Sequence, residues 1–153
     1  MALALVPARS VVDVGCGLGA WLAAFRDHGV ADVLGIDGDH VNPDLLEIPR
    51  DAFEAHDLRL PLDLPRTFEL VVSLEVAEHL PEESADVFVD SLVRLGPAIL
   101  FSAAIPHQGG HLHVNEQWPA YWAARFHDRG YVHVDCLRRR LWTNPDVAPW
   151  LRW

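Results

Sequence analysis

Two stretches of this 153-residue chain carry residue types at spacings that could do chemistry. In the first, residues 13–19 (DVGCGLG), an acid is followed by glycines at every second position. A backbone without Cβ atoms can adopt positive φ and come close to a flat or extended cofactor beside a helix N-terminus. The second stretch, residues 105–122, contains His107, His111 and His113. A neutral imidazole titrates near neutral pH, so each of them could take a proton from a bound acceptor.

Strand-like and helix-like segments alternate along the chain and predict how these stretches are positioned. Residues 10–14 form a valine-rich run, residues 20–28 are helix formers and residues 31–36 are again apolar, which indicates a βαβ unit. The pattern predicts an α/β fold with a doubly wound, mostly parallel sheet and helices on both faces, whose ligands bind beyond the carboxyl ends of the strands. Further strands are predicted at residues 52–56, 68–74, 98–102 and 131–137, with helices after Pro81 and over residues 116–129, where Trp118, Tyr121, Trp122 and Phe126 are expected to face inward.

The composition limits the classes of protein to which the chain can belong. Half of its residues are apolar and 22% are charged, which suits one folded domain over residues 1–153. Its 22 acidic and 12 basic side chains give a net charge of −10, which repels nucleic-acid phosphates and anionic lipids. All 12 basic residues are arginine, so a phosphate-binding or Schiff-base lysine is excluded. Two cysteines indicate no disulfide framework, and no run reaches the ~18 apolar residues of a membrane span, so we expect a cytoplasmic protein.

Residues 13–19 resemble motif I of the class I S-adenosylmethionine-dependent methyltransferases, (D/E)xGxGxG, at each fixed place. Three landmarks follow in that family's order: Asp37 at the end of the second strand, Asp57-Leu58 after the third, and FELVVSLEVAEHLP over residues 68–81. The resemblance implies a Rossmann-like fold, S-adenosylmethionine as cofactor and a small-molecule acceptor, as in enzymes that tailor bacterial secondary metabolites. The cofactor-binding residues that it implies are Asp13, Gly15, Cys16, Gly17, Gly19, Asp37, Gly38, Asp57, Leu58, Ser73, Leu74 and Glu75.

The family resemblance also implies a role for each landmark acid. Asp13 would reach the ammonium of the methionine moiety, Asp37 the ribose diol, and Asp57 the exocyclic amine of adenine, with the Leu58 N–H capping the ring. Gly15, Gly17 and Ala20 also fit the looser dinucleotide pattern GxGxx(G/A), so a nicotinamide-dependent oxidoreductase is the alternative enzyme. A carboxylate at position 13 suits an ammonium and would sit poorly against a pyrophosphate, which favours the methyltransferase.

The acceptor pocket that the resemblance implies is built from residues 75–79 and 104–122, with oxygen as the expected acceptor atom. His107, His111 and His113 are the candidate bases there, and capping of backbone groups in a long loop is the competing structural role for each. The pair His111 and His113, with His107 and Glu116 nearby, could instead ligate a metal, but HxH without a fixed carboxylate partner is a weak pattern, and we predict no metal. His79, four residues after Glu75, has two candidate roles: it lies one helical turn from Glu75 near the cofactor edge, or it stabilises the start of the following helix, which is the role we favour.

The two ends of the chain depart from the family's pattern. Nine residues precede the first strand, and the run after Leu141 has two prolines and no strand-length segment, so N-terminal lid helices and a seventh strand are expected to be missing. A homodimer through this C-terminal sheet edge would bury Trp142, Trp150 and Trp153. The missing elements also leave open a catalytically silent cofactor-binding or assembly subunit.

Overall fold

The computed structural model describes residues 1–147 and contains a five-stranded, fully parallel sheet in the order β3-β2-β1-β4-β5. Short 3₁₀ turns connect several elements, among them Ala77–His79 directly after β4. The elements are α1 Ala2–Leu5, β1 Ser10–Val14, α2 Ala20–Asp27, β2 Asp32–Asp37, β3 Phe53–Ala55, β4 Leu70–Leu74, α3 Ala85–Leu95, β5 Ile99–Ser102, α4 Pro119–Asp128 and α5 Arg138–Leu141. The predicted α/β fold with a parallel sheet is therefore confirmed.

Helices cover both faces of the sheet because successive strand residues point to opposite sides. Val12 and Val14 of β1 join a core with α3 and with Trp122 of α4, whereas Val11 joins a second core with Leu22 of α2. Burying each such side chain contributes on the order of 2 kcal/mol. The two cores hold the strands rigidly, so their carboxyl ends form a fixed platform.

Two of the predicted elements differ from the structure. The strand predicted over residues 131–137 is wrong: no strand forms there, and Val132 and Val134 are 82% and 68% exposed. Alternating apolar residues make a strand only where a neighbour supplies ladder partners, and here the Tyr131 hydroxyl instead donates to carbonyls at the end of α3.

The last long helix begins three residues later than predicted. It starts at Pro119, so Trp118 occupies the N-cap position and is 57% exposed. The prediction that Trp118 faces inward is therefore wrong, whereas Trp122 is buried as expected. Glu116, which was expected to open this helix, bonds to histidine residues instead.

At the β5 edge of the sheet, no further strand pairs with β5 within residues 1–147. Trp142 is exposed, and Trp150 and Trp153 lie outside the described residues, so the homodimer through this edge stays a prediction. No helix within residues 1–147 is both long and apolar enough to cross a membrane.

Candidate functional site

The carboxyl ends of the parallel strands bring the predicted cofactor residues to one edge of the sheet. Val14 pairs with Ile36, Asp37 with Ala55, and Leu74 with Ser102, so the loops that follow these strands leave the sheet side by side. This edge is where doubly wound folds bind ligands.

The turn after β1 has the backbone conformation that its glycines suggested. Gly15, Gly17 and Gly19 have φ values of 88°, 54° and 86°. A Cβ at Gly15 would overlap a methyl group of Val76, and one at Gly19 would lie 2.9 Å from Ile48, whereas one at Gly17 would meet open space. Two of the glycines are therefore needed for packing, and Gly17 leaves its backbone open to a ligand.

Asp37 is held rigidly at the end of β2. One carboxylate oxygen accepts from the Gly17 N–H at 2.7 Å, and the other accepts from the Gly38 N–H at 2.7 Å. Each oxygen keeps a further lone pair, which is what a ribose diol requires. Because the same carboxylate clamps the glycine turn, Asp37 couples the shape of the loop to the position of its ligand.

Asp13 lies inside this edge and is 1% exposed, and its Oδ2 has no hydrogen-bond partner among the described residues. Burial, reinforced by the negative charge of Asp37, raises the pKa of Asp13 to about 7. An unpartnered buried carboxylate oxygen costs free energy until a donor or cation reaches it. Burial likewise raises the pKa of the neighbouring Cys16 thiol, which therefore stays protonated and acts as a small packing residue.

Asp57, the predicted adenine ligand, is already paired. Arg59 Nη2 lies 2.6 Å from its Oδ2 and Arg59 Nε 2.9 Å from its Oδ1, and these hydrogen bonds lower the pKa of the exposed carboxyl to about 2. An adenine amine would have to share this carboxylate with the guanidinium. Leu58 beside it is buried in the core that contains α3.

The residues at the end of β4 lead from this edge toward the predicted acceptor loop. Ser73 is fully buried and Leu74 is half-buried, while Glu75 has a φ of 56°. Glu75 accepts from the Ser102 hydroxyl at 2.7 Å and from the Gln108 amide at 2.9 Å. These bonds tie the ends of β4 and β5 to the loop that follows β5.

The three predicted catalytic histidines do not form one group. His107 and His111 are exposed, and His107 contributes its backbone N–H to Glu116 Oε2 at 2.9 Å. The His113 side chain is 12% exposed, and its Nδ1 lies 2.9 Å from Glu116 Oε1. Of the three, His113 is therefore the one that the fold orients.

The acceptor side also contains Glu78 and His79, which the sequence placed in the acceptor pocket without a chemical role. Glu78 is fully buried, neither carboxylate oxygen has a hydrogen bond to a described residue, and the His79 ring stacks edge-on against His113 at 4.8 Å. Burial raises the pKa of Glu78 to about 7, which the nearby N–H groups of Glu78 and Ala104 only partly offset, and burial lowers the pKa of His79. One ligand atom each from Glu78, His79 and His113 lies within 4.8 Å of the others. We call these three residues the polar cluster.

The residues that could hold a metal in the structure differ from the set considered from the sequence, which was His107, His111, His113 and Glu116. Within residues 1–147, His107 and His111 do not join any group that could hold a metal. The signal for Glu78 and His79 was an acid and a histidine one helical turn beyond Glu75, directly after a buried strand. Their link to His113 is tertiary: the Glu78 carbonyl accepts from the N–H groups of Val114 and Asn115.

A family model described as a methyltransferase domain matches residues 1–138. The methyltransferase domain of bacterial CtHen1 is 19% identical, with a TM-score of 0.64 over 84% of this chain and 79% of that one. An O-methyltransferase family protein from Burkholderia thailandensis is 17% identical, with a TM-score of 0.63 over 80% of this chain and 46% of that one. A sugar N-methyltransferase from Streptoalloteichus sp. is 24% identical, with a TM-score of 0.57 over 68% of this chain and 45% of that one.

At these identities the structural likeness establishes the fold alone. The chain spans a little under half of the length of similar solved structures: it covers 46% of the Burkholderia protein and 45% of a second similar structure. None of the curated proteins matches it.

Proposed function

Because the chain belongs to the class I S-adenosylmethionine-dependent methyltransferases, whose domain model matches residues 1–138, we propose that it methylates an oxygen atom of a small-molecule acceptor. The observation that carries this proposal is the Asp13 carboxylate, which is buried beside the glycine turn with one oxygen unpartnered among the described residues. A buried carboxylate of this kind suits the ammonium of S-adenosylmethionine and opposes a pyrophosphate.

The chain's own residues fit each part of the cofactor. Asp13 would face the ammonium, Asp37 the ribose hydroxyls, and the open backbone at Gly17 the amino acid portion. Asp57 and Leu58 would hold adenine, with Arg59 sharing the Asp57 carboxylate. When bound, S-adenosylmethionine supplies a methyl group on a positively charged sulfur, already activated for displacement.

The remaining task of the protein is to position the acceptor and to remove its proton. The polar cluster and Glu116 lie in the loops that follow β4 and β5. Their nitrogen and oxygen atoms could hydrogen-bond to the hydroxyl group of an acceptor. A fixed, largely buried imidazole at His113 favours an acceptor that must lose a proton, which supports oxygen over a neutral amine nitrogen.

The charge of the chain supports the rest of the assignment. A net charge of −10 disfavours nucleic acid as acceptor. It also disfavours a pyrophosphate next to Asp13, which argues against the nicotinamide-dependent oxidoreductase.

Thermal denaturation with added nucleosides tests the cofactor. S-adenosylhomocysteine at ~100 times its Kd should stabilise the folded chain by about 3 kcal/mol, and NAD should not. Asp37→Ala should lose this stabilisation, whereas Asp63→Ala, at an exposed position between β3 and β4, should keep it. Stabilisation by NAD alone would favour the oxidoreductase.

Methylation assays with phenols, carboxylic acids and amines then test the transfer. Methylated product from a phenol or carboxylic acid is the expected result. Binding of S-adenosylhomocysteine without turnover of any of the three classes would favour a silent cofactor-binding subunit.

A further inference from the structure

We propose that Glu78, His79 and His113 bind a divalent first-row transition-metal ion, such as Mn²⁺, Co²⁺ or Zn²⁺, next to the acceptor. The ion's role in catalysis rests on the proposed function, but its binding does not. The three residues come from separate places in the chain: Glu78 and His79 from the turn after β4, and His113 from the loop after β5.

The burial of Glu78 is the observation that points to a bound cation. Its side chain is fully buried and both of its carboxylate oxygens lack hydrogen-bond partners among residues 1–147. Buried carboxylates in folded proteins are paired or coordinate metals, because an isolated one is costly. In the described part of the chain, no arginine ion pair reaches Glu78.

The distances suit an ion after a small adjustment. One ligand atom from each residue lies within 4.8 Å of the other two. Ligands bound to one ion at ~2.1 Å stand about 3–4 Å apart, so the side chains need to close by roughly 1 Å. The Glu78 carbonyl accepts from the N–H groups of Val114 and Asn115, which ties this turn to the loop that carries His113.

Glu116 supplies the partner that a metal-binding histidine usually has. His113 Nδ1 lies 2.9 Å from Glu116 Oε1, so an N–H at Nδ1 would donate to this carboxylate and Nε2 would be the nitrogen that binds the ion. Metal-bound histidines nearly always donate their second N–H to a carboxylate or carbonyl in this way. The neighbouring Gly110 keeps space beside that nitrogen, since a Cβ there would overlap His113 Nε2.

The donor set indicates the kind of ion. Two imidazoles and one carboxylate favour Mn²⁺, Co²⁺ or Zn²⁺ over Ca²⁺ and Mg²⁺, which prefer all-oxygen sites. Three protein ligands leave at least one coordination position open, as in catalytic rather than structural sites.

An ion at this position would act on the acceptor hydroxyl. A hydroxyl oxygen bound to a divalent cation loses its proton to water more easily, because the cation stabilises the oxyanion. The oxyanion then forms the new O–C bond while the S–C bond breaks and sulfur keeps the electron pair. His113 would serve as a ligand, and the ion would take over the role of lowering the acceptor's pKa.

Titration of the chelator-treated full chain with Co²⁺ tests binding without any methyl transfer. We expect saturable uptake of one ion with the visible absorption of Co²⁺ bound to nitrogen and oxygen. Glu78→Gln and His113→Ala should each weaken binding at least ~10-fold, the usual size of a ligand or partner loss. His133→Ala, which replaces an exposed histidine outside the cluster, should bind as the wild type does.

Gly110→Ala provides a variant that keeps every ligand. Its new methyl group would crowd His113 Nε2, so Co²⁺ binding should weaken although Glu78, His79 and His113 are all present. Circular dichroism confirms that each variant is folded.

The proposal is overturned if the folded wild type takes up no Co²⁺, Mn²⁺ or Zn²⁺ at ~1 mM, or if the Glu78 and His113 variants bind as well as it does. S-adenosylhomocysteine binding in that case would leave the proposed function standing. Saturable metal binding without methylation of any acceptor would instead support the site and contradict the proposed function.

Discussion

The cofactor edge and the polar cluster are built from different parts of the polypeptide. At the cofactor edge the backbone dominates: three glycines with positive φ and two N–H groups that bond to Asp37. At the polar cluster side chains dominate, and they arrive from segments more than thirty residues apart, at positions 78–79 and 113. The first is encoded locally in the sequence, and the second exists only once the chain has folded.

The two regions also differ in where strain is stored. Among the described residues, the non-glycine residues with positive φ are Glu75, which joins the two regions, and His107 and Leu112 in the acceptor loop. Each such conformation costs on the order of 1 kcal/mol and persists because surrounding contacts hold it. The difference predicts that substitutions will separate into those that affect cofactor binding and those that affect turnover.

The largest effect is expected at the polar cluster. His113→Ala should lower kcat by roughly 10²- to 10⁴-fold, the range for loss of acid–base or metal assistance, while the Kd for S-adenosylhomocysteine changes by less than ~2-fold. Steady-state kinetics and calorimetry measure the two quantities, with His127→Ala, at an exposed position of α4, as the control. An equal loss of cofactor affinity would show that the two regions are not separate.

The glycine turn gives the next largest effect. Gly15→Ala combines a φ of 88° with an overlap between its new methyl group and Val76, and should lower the free energy of unfolding by ~3 kcal/mol or more. Gly17→Ala meets open space at a φ of 54° and should cost only about 1 kcal/mol. Urea denaturation of both variants tests this, and equal losses would contradict the packing role of Gly15. Gly17→Ala should nevertheless bind S-adenosylhomocysteine poorly, because its methyl group stands where the ligand approaches.

Asp13→Asn should raise the free energy of unfolding above neutral pH and weaken cofactor binding. The folded pKa of about 7 lies above the usual 3.8, so the folded chain holds more protons than the unfolded chain between these values. Wild-type stability without ligand therefore falls as the pH rises from ~4 to ~7, by up to roughly 4 kcal/mol from this group. The amide does not titrate, so the variant should be the more stable at pH 8, yet bind S-adenosylhomocysteine ~10-fold or more weakly. Melting curves across this pH range measure the effect, and parallel curves for both proteins would refute it.

The smallest effect is expected at Arg59. Arg59→Ala frees the Asp57 carboxylate, whose pKa should rise from about 2 toward its ordinary value. Because the pair is exposed, cofactor affinity should change by less than ~3-fold. Carboxyl titration by NMR follows Asp57, with Arg66→Ala, which pairs with the remote Asp32, as the control. A large loss of affinity would mean that Arg59 itself contacts the ligand.

The sequence predicted most of the fold because its buried strands are continuous apolar runs. Leu70–Leu74 and Ile99–Ser102 form within the segments predicted for them, and the βαβ unit around the glycines is as expected. Residues 131–137 were misassigned because alternation reveals a side-chain pattern but not whether a partner strand exists. Trp118 was misplaced because Pro119 begins the helix, which moves the preceding residue off its buried face.

The site divides in the same way. That Asp13, the glycines and Asp37 lie together could be predicted, because they end or follow two adjacent parallel strands. The place of Glu78 in the polar cluster could not be predicted, since it depends on a tertiary contact. The Glu78 carbonyl accepts from the N–H groups of Val114 and Asn115, in the loop that carries His113. His107 and His113 share a segment, but nothing in their spacing shows that only His113 is packed against Glu116.

Glu75 joins the two regions. Its backbone continues from β4 toward Glu78, and its carboxylate receives hydrogen bonds from Ser102 and from Gln108 in the acceptor loop. A ligand that shifts this carboxylate on one side changes the free energy of the other side. Thermodynamic reciprocity then requires the two substrates to alter each other's affinity by the same factor, so we expect them to bind cooperatively.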